Sequence, residues 1–407
     1  MKKLFLSLFI LAITLLAFAS CALGEHRCEY GEWETTMEAT CEEAGREVRK
    51  CKLDETHVDK RDIEPLDHAW AEEWTAGVGG HWHVCTREGC EEKGVIDHVS
   101  SGAATYEAAE VCLDCGYVIR EKLHPLSNKK VMFIGNSHTF YGGVVQEKAP
   151  NVLEQSKRTG DKGFFYQLAT QNGAVNLNVT NWTFGNHGFK DLFSHNCQAN
   201  RACGNGTDHE KYLTDKYYDY VIMQQGSSQD PEIEKWVDHI IAYFKEVNPN
   251  VKFVFLVQAR AHNDNYFWLS ELKNYEKKGM IIADWGDIAY DVYTGATKVP
   301  GATELYNKES FVIAKDSTDG YHPNYLAGYL AALTAYCAIT GEKAEGQPYE
   351  FCAKSVSFRT FYNQKYKLKE SNFIRIFESP ADMKGIQQLV DLYLEEKYYR
   401  NEDYGVK

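Results

Sequence analysis

A serine stands on the turn Gly135-Asn136-Ser137-His138-Thr139, directly after the apolar run Val131-Met132-Phe133-Ile134. Some 185 residues further on, a histidine stands in Asp319-Gly320-Tyr321-His322-Pro323-Asn324. A serine hydroxyl is a weak nucleophile until a neighbouring base takes its proton. An imidazole can do so when its other ring nitrogen is held by a carboxylate. An Asp three residues before a His on a turn can supply that carboxylate. Ser137, His322 and Asp319 are therefore the nucleophile, base and orienter of an acyl-transfer site, provided the fold brings them together. Gly135 relieves the steric cost of a tight turn.

Chemistry of this kind needs elements that deliver the serine and the histidine to one edge. Val131–Ile134, Tyr220–Met223, Phe253–Val257 and Met280–Ala283 read as short strands buried on both faces, and 175–183 as a weaker fifth. Between them, 151–159 after Pro150, 231–247 after the N-cap candidate Asp230, 265–278 and 324–340 have helical spacing. The tail carries an amphipathic pattern over 386–399. Strands alternating with helices predict an α/β fold, a three-layer α/β/α sandwich around a parallel sheet. Such sheets place their sites beyond the carboxyl ends of the strands, where Ser137 sits.

Gly-Asn-Ser after the first strand and Asp-x-x-His-Pro before the last core helix resemble the SGNH (GDSL-type) hydrolase superfamily, from about Lys129 to Gly341. The resemblance implies a flavodoxin-like fold and a serine esterase that needs no cofactor for catalysis. It implies Ser137 as nucleophile, His322 as base and Asp319 as orienter, with the Ser137 and Gly188 N–H groups in an oxyanion hole. Gly185 is the alternative to Gly188. The third block, usually Gly-x-Asn, reads Met223-Gln224-Gln225-Gly226-Ser227-Ser228-Gln229 here. It is similar to the Gln-Gly-x-Ser-Asn variant of carbohydrate acetylesterases. The third oxyanion donor is then Gln229, with Gln225 or Ser228 as alternatives. The implied substrate is a small ester, most plainly an O-acetylated carbohydrate. A glycan-binding protein with an inactive hydrolase-like domain, a lipase and a thioesterase are the competing readings. Trp182, Trp268 and Trp285 are expected near the cleft. His138 is expected in the site wall, His262 beside the cleft, and His187 and His195 beside the second block.

Eight of the 12 cysteines precede residue 116. Cys85 and Cys90, then Cys112 and Cys115, form two close pairs at zinc-ribbon spacing, and four thiolates would close a tetrahedral metal site. A disulfide-stapled module is the alternative. Ala39-Thr40-Cys41, Cys51-Lys52-Leu53-Asp54 and Pro65-Leu66 are echoed by Ala104-Thr105, Cys112-Leu113-Asp114-Cys115 and Pro125-Leu126. The region resembles the zinc-ribbon-like repeats of bacterial surface proteins. Its first copy lacks a CxxC, which suggests a lost metal. In the catalytic region, Cys197 and Cys203 bracket a short loop and are expected to pair; Cys337 and Cys352 are a second possible pair.

Lys2 and Lys3 followed by the apolar run 4–19 read as an export signal. Phe18-Ala19-Ser20-Cys21 resembles a lipobox, which implies a lipid anchor at Cys21 and a place on the cell surface or in the periplasm. The expected segments are 1–21 as signal and lipobox, 22–126 as a small Cys-rich domain and 127–407 as the hydrolase-like domain. The net charge is −14. Residues 22–125 hold 24 acids and 11 bases, a net of −13. A chain so acidic is not expected to bind nucleic acid, which favours basic surfaces.

Overall fold

The computed structural model describes residues 26–145, 152–199, 205–225, 231–258, 269–303, 305–312, 322–352, 373–376 and 379–396. The chain divides into two compact units, with the boundary between Lys122 and Leu123.

The first unit is a string of short antiparallel pieces. β1 (Glu34–Met37), β2 (Gly45–Lys50) and β3 (Val58–Ile63) form a three-stranded meander. β4 (Thr75–Gly77) pairs with β5 (Gly80–Trp82), and β6 (Glu110–Val111) with β7 (Val118–Arg120). Every residue of β1 is exposed. Among the described residues of this unit, the buried hydrophobic side chains are Cys41, Cys51 and Cys112. A module with so little apolar burial needs another source of stability, and metals or disulfides are the usual ones.

The second unit carries a five-stranded sheet. Its strands are β8 (Lys130–Gly135), β9 (Asn178–Thr183), β10 (Tyr220–Met223), β11 (Lys252–Val257) and β12 (Ile281–Asp284). The order is β12-β11-β10-β8-β9, and every pairing is parallel. Numbered within the sheet this is 2-1-3-4-5, the flavodoxin-like winding. The chain leaves β8 for β9 on one side and returns to β10 on the other. The carboxyl end of β8 is thus the topological switch point, and Ser137 lies two residues beyond it.

Side chains alternate across the sheet and split the core in two. Val131 and Phe133 pack on one face with α2 (Phe164–Gln171), α6 (Trp285–Thr294), α7 (Tyr325–Thr340) and α8 (Pro380–Glu395). Met132 and Ile134 pack on the other with α3 (Phe189–Phe193), α4 (Ile233–Lys245) and α5 (Leu269–Lys277). The expected three layers are present. α7 is buried on every side from Tyr325 to Cys337, which explains its uniformly apolar composition.

Several expectations need correction. Residues 152–159 are not helical beyond a single 3₁₀ turn, Gln155–Lys157. Arg158 is 5% exposed and donates to the carbonyls of Asn181 and Val152, each at 2.6 Å, and to that of Thr183. Those bonds, with the Gly160 N–H donating to Val179, lay the segment along β9 instead. α2 and α6 were not expected. α8 begins at Pro380, capped by Ser379, six residues before the apolar pattern suggested.

Candidate active site and metal-ligand clusters

The serine turn is held from three sides. Asn136 caps α1 (Ser137–Phe140) by accepting from the His138 N–H at 3.1 Å. Its Nδ2 donates to the His187 carbonyl at 3.0 Å. Gln224, after β10, accepts from the Thr139 hydroxyl at 2.7 Å. A Cβ on Gly135 would lie 2.6 Å from Thr139 Oγ1 and 2.9 Å from the Gln224 carbonyl, so glycine is required by close packing. Ser137 is the first residue of its helix, where a backbone N–H has no acceptor within the helix and can face a ligand.

The histidine arrives on the turn into α7. Asn324 caps that helix by accepting from Ala327 N–H, and its Nδ2 donates to the Ser310 carbonyl at 2.8 Å. Near its start α7 meets the chain just beyond Ser137: a Cβ on Gly328 would fall 2.0 Å from the Gly142 carbonyl oxygen. Gly142 itself has φ +79°, a conformation that favours glycine. This backbone-to-backbone approach delivers His322, and its Nε2 lies 2.9 Å from Ser137 Oγ. The rings of Tyr141 and His138 flank His322 with centroids at 4.3 and 4.8 Å, so His138 lines the wall of the site. Asp319, Ser228, Gln229, His262 and Trp268 lie outside the described residues.

The second block differs from expectation. The Gly188 N–H donates to Asp191 Oδ2 at 3.0 Å, closing the cap of α3, and is therefore engaged away from an oxyanion. The cause is local: an aspartate at the third helical position reaches back to the capping residue. Gln225 occupies the adjacent space. Its Oε1 accepts from Phe189 N–H at 3.2 Å, and its Nε2 would be 3.2 Å from a Cβ on Gly188. With the amide oxygen anchored, the amide N–H groups are left as donors.

Trp182 and Trp285 are 0% and 1% exposed and belong to the core, not to the cleft. Strand β9 buries Trp182 because both faces of the sheet are covered; Trp285 opens α6 against the opposite face. His195 is exposed beside Asp208, at 3.2 Å. Cys337 and Cys352 are free thiols, as is Cys197, whose expected partner Cys203 lies outside the described residues. Arg158 drew no attention in the sequence, since an isolated arginine reads as surface. Its ring contact with Phe184, 3.9 Å from the centroid, and its carbonyl bonds brace the carboxyl end of β9.

In the first unit the expected four-cysteine site is not formed. Cys85 and Cys90 join Cys41 and His68, while Cys112 and Cys115 join His81 and His98. A third group comprises His26, Cys28 and His57, with Cys51 Sγ 3.0 Å from His26 Nε2. The first copy of the repeat therefore keeps its donors, with histidines replacing the missing CxxC. Each close cysteine pair stays together in space, but each is completed by donors from earlier in the chain, Cys41 and His68 for one and His81 and His98 for the other, so the two pairs do not share a site. The seven described cysteines of this unit are free thiols.

These clusters fit a tetrahedral zinc ion. Zn–S near 2.3 Å and Zn–N near 2.0–2.1 Å require donor–donor edges of about 3.3–3.8 Å. The distances are 3.7 Å for Cys41–Cys85, 3.4 Å for Cys90–His68, 3.4 Å for His81–His98, and 3.7 Å for both Cys112–His81 and Cys115–His98. His98 Nε2 donates to the Gly77 carbonyl at 2.8 Å, which leaves Nδ1 as the donor facing the cluster. In each cluster one thiol is held low. Burial pushes Cys85 and Cys112 up, but backbone N–H groups and the neighbouring histidine bring both down to about 6.

No family model and no curated protein matches the chain. Solved structures do. A protein assigned as a GDSL-like lipase from Parabacteroides merdae is 18% identical, with a TM-score of 0.34, over 54% of this chain and 98% of its own. LAE5, an alpha/beta hydrolase enzyme from the metagenome of Lake Arreo in Spain, is 18% identical with a TM-score of 0.34, over 53% and 96%. Axe2, an acetylxylan esterase from Geobacillus stearothermophilus, is 14% identical with a TM-score of 0.34, over 58% and 100%. Another, from Slackia heliotrinireducens, is described as an SGNH hydrolase and is 16% identical with a TM-score of 0.30, over 53% of this chain and 99% of its own.

Proposed function

We propose that the second unit is a serine esterase. The observation that carries this reading is the 2.9 Å approach of His322 Nε2 to Ser137 Oγ at the switch point of a parallel sheet. Ser137 Oγ attacks the ester carbonyl carbon as His322 accepts its proton. The carbonyl π electrons move to oxygen, and the resulting oxyanion meets the Ser137 N–H and the Gln225 amide. Collapse expels the alkoxide, which takes the proton from His322 and leaves as the alcohol. Water, deprotonated by His322, then hydrolyses the acyl-serine and releases the acid. Asp319 takes the role of orienter on the strength of the family resemblance alone.

An O-acetylated carbohydrate is the proposed substrate. That choice rests on the third block, with its likeness to carbohydrate acetylesterases, and on the export-type N-terminus. The N-terminal unit is proposed to bind structural zinc in three clusters. Cys21 is proposed to carry a lipid that holds the protein at the outer face of a membrane.

The test is hydrolysis of p-nitrophenyl esters of rising chain length by the wild type and by Ser137→Ala. Fast turnover of acetate, lost in the variant while the far-UV spectrum is kept, supports the reading. Rates that climb towards long acyl chains favour a lipase instead. No hydrolysis, together with glycan binding, favours an inactive domain that binds.

A further inference from the structure

Beside the serine turn, but outside the hydrolytic machinery, the second unit gathers His187, Cys197 and His209. One donor atom from each lies within 4.8 Å of the others. All three are buried, at 1%, 0% and 0% exposure. An imidazole buried this deeply normally has both nitrogens satisfied. Here His187 Nε2 and both nitrogens of His209 make no hydrogen bond of normal geometry among the described residues, with the Thr207 backbone close to His209.

The surroundings set these groups up as ligands. His187 Nδ1 is 2.7 Å from the Gly185 carbonyl, to which it can only donate. That bond fixes the tautomer and leaves Nε2 with its lone pair aimed into the cluster, the arrangement usual for a metal-bound histidine. Cys197 Sγ accepts from the Ala199 N–H at 3.2 Å and, as a thiol, donates to Asp191 Oδ1 at 3.9 Å and to the Ala199 carbonyl at 3.7 Å. The loop carrying the donors is closed by the Cys197 N–H to the Thr207 carbonyl at 2.9 Å and the Gly206 N–H to the Cys197 carbonyl at 2.7 Å. His209 is wedged between the rings of Phe184 and His187, each centroid at 4.8 Å, so its side chain is held in place.

We propose that His187, Cys197 and His209 bind one divalent zinc-class cation. Two imidazoles and a thiolate are a borderline-soft donor set that selects zinc over magnesium or calcium. Binding needs the thiol proton to leave as the S–metal bond forms, with no redox change. The ion would crosslink the segment after β9, which carries His187, to those carrying Cys197 and His209. It lies one residue from the serine turn's support, because the His187 carbonyl accepts from Asn136. The role is positional, and the ion takes no part in the proposed ester chemistry.

The experiment is metal analysis of the full-length protein purified without chelator, for the wild type and for Cys197→Ser and His209→Gln. Each variant is expected to carry one zinc fewer per chain than the wild type, whatever the N-terminal clusters hold. Because either variant could misfold, a second measurement is anomalous scattering at the zinc edge from wild-type crystals. A peak about 2.3 Å from Cys197 Sγ and about 2.0–2.1 Å from His187 Nε2 is expected. An unchanged zinc count in folded variants would overturn the proposal. So would a Cys197–Cys203 disulfide, or the absence of a peak at the cluster. Loss of esterase activity is not used as a readout, so failure of the serine assignment leaves this result interpretable.

Discussion

At the scale of single residues, the account depends on who donates to the developing oxyanion. Gly188 is tied to Asp191, so under the proposed esterase reading the task passes to the amide of Gln225 beside the Ser137 N–H. Replacing Gln225 by Glu keeps an acceptor for Phe189 but puts a negative charge where an N–H stood. The kcat for acetate ester hydrolysis should fall by about 10²–10³, the usual cost of losing one such donor. An unchanged kcat would move the role elsewhere in the third block. Ser137 and His322 were legible as residues because each occupies a turn with recognisable chemistry around it. The engagement of Gly188 was not, since a capping aspartate three residues away is common and its orientation depends on α3. Nor was Arg158, because nothing in an isolated arginine announces that it will be buried against carbonyls.

At the scale of elements, the strands were the most legible part. Continuous apolar runs of β-branched and aromatic residues between polar boundaries have few alternatives, and four strands of the parallel sheet are of this kind; β9, with Asn178, Thr180 and Asn181, showed more weakly, and the short strands of the first unit did not show. Helices were read less well. α2 and α6 are short and follow glycine or an abrupt strand end, so their periodicity has little room to show. The start of α8 lay hidden in Ser379-Pro380, a capping signal outside the apolar stripe. This helix offers its own test. The carboxyl of Asp382 is buried, which raises its pKa, but the Thr303 N–H and hydroxyl, Tyr306 and Ser379 bond to it and bring it below the usual carboxylate range. A depressed pKa gives stability that is fully present above the unfolded value, near 3.9, and lost as pH falls through the folded value. Asp382→Asn should therefore cost about 1–3 kcal/mol at neutral pH. Its melting-temperature deficit should shrink as pH is lowered from about 6 to about 3. A deficit independent of pH would contradict this reading. The approach of Gly328 to Gly142 gives a second test: Gly328→Ala forces backbone atoms apart. We expect lower thermal stability together with lower kcat, measured by calorimetry and ester hydrolysis; a variant with both unchanged would show that the close approach is not needed to seat His322.

For the molecule as a whole, the two units are stabilised by different physics. The second buries two apolar layers around its sheet, whereas the buried side chains among the described residues of the first are Cys41, Cys51, Cys112, His81 and Glu110. The close pairs Cys85/Cys90 and Cys112/Cys115 were legible as ligands, but the donors that complete each cluster were not, because they come from residues distant in sequence. If zinc replaces a hydrophobic core there, stripping the full-length protein with a strong chelator should abolish a separate low-temperature unfolding transition and leave the main transition of the second unit. A thermogram unchanged by chelation would count against zinc in the first unit. The measurement that bears most directly on the central claim is covalent labelling of the intact protein with a fluorophosphonate, followed by peptide mapping. The account predicts a single adduct on Ser137, lost when His322 is replaced by alanine. An adduct on another residue, or ester hydrolysis that persists with Ser137 unlabelled, would contradict it.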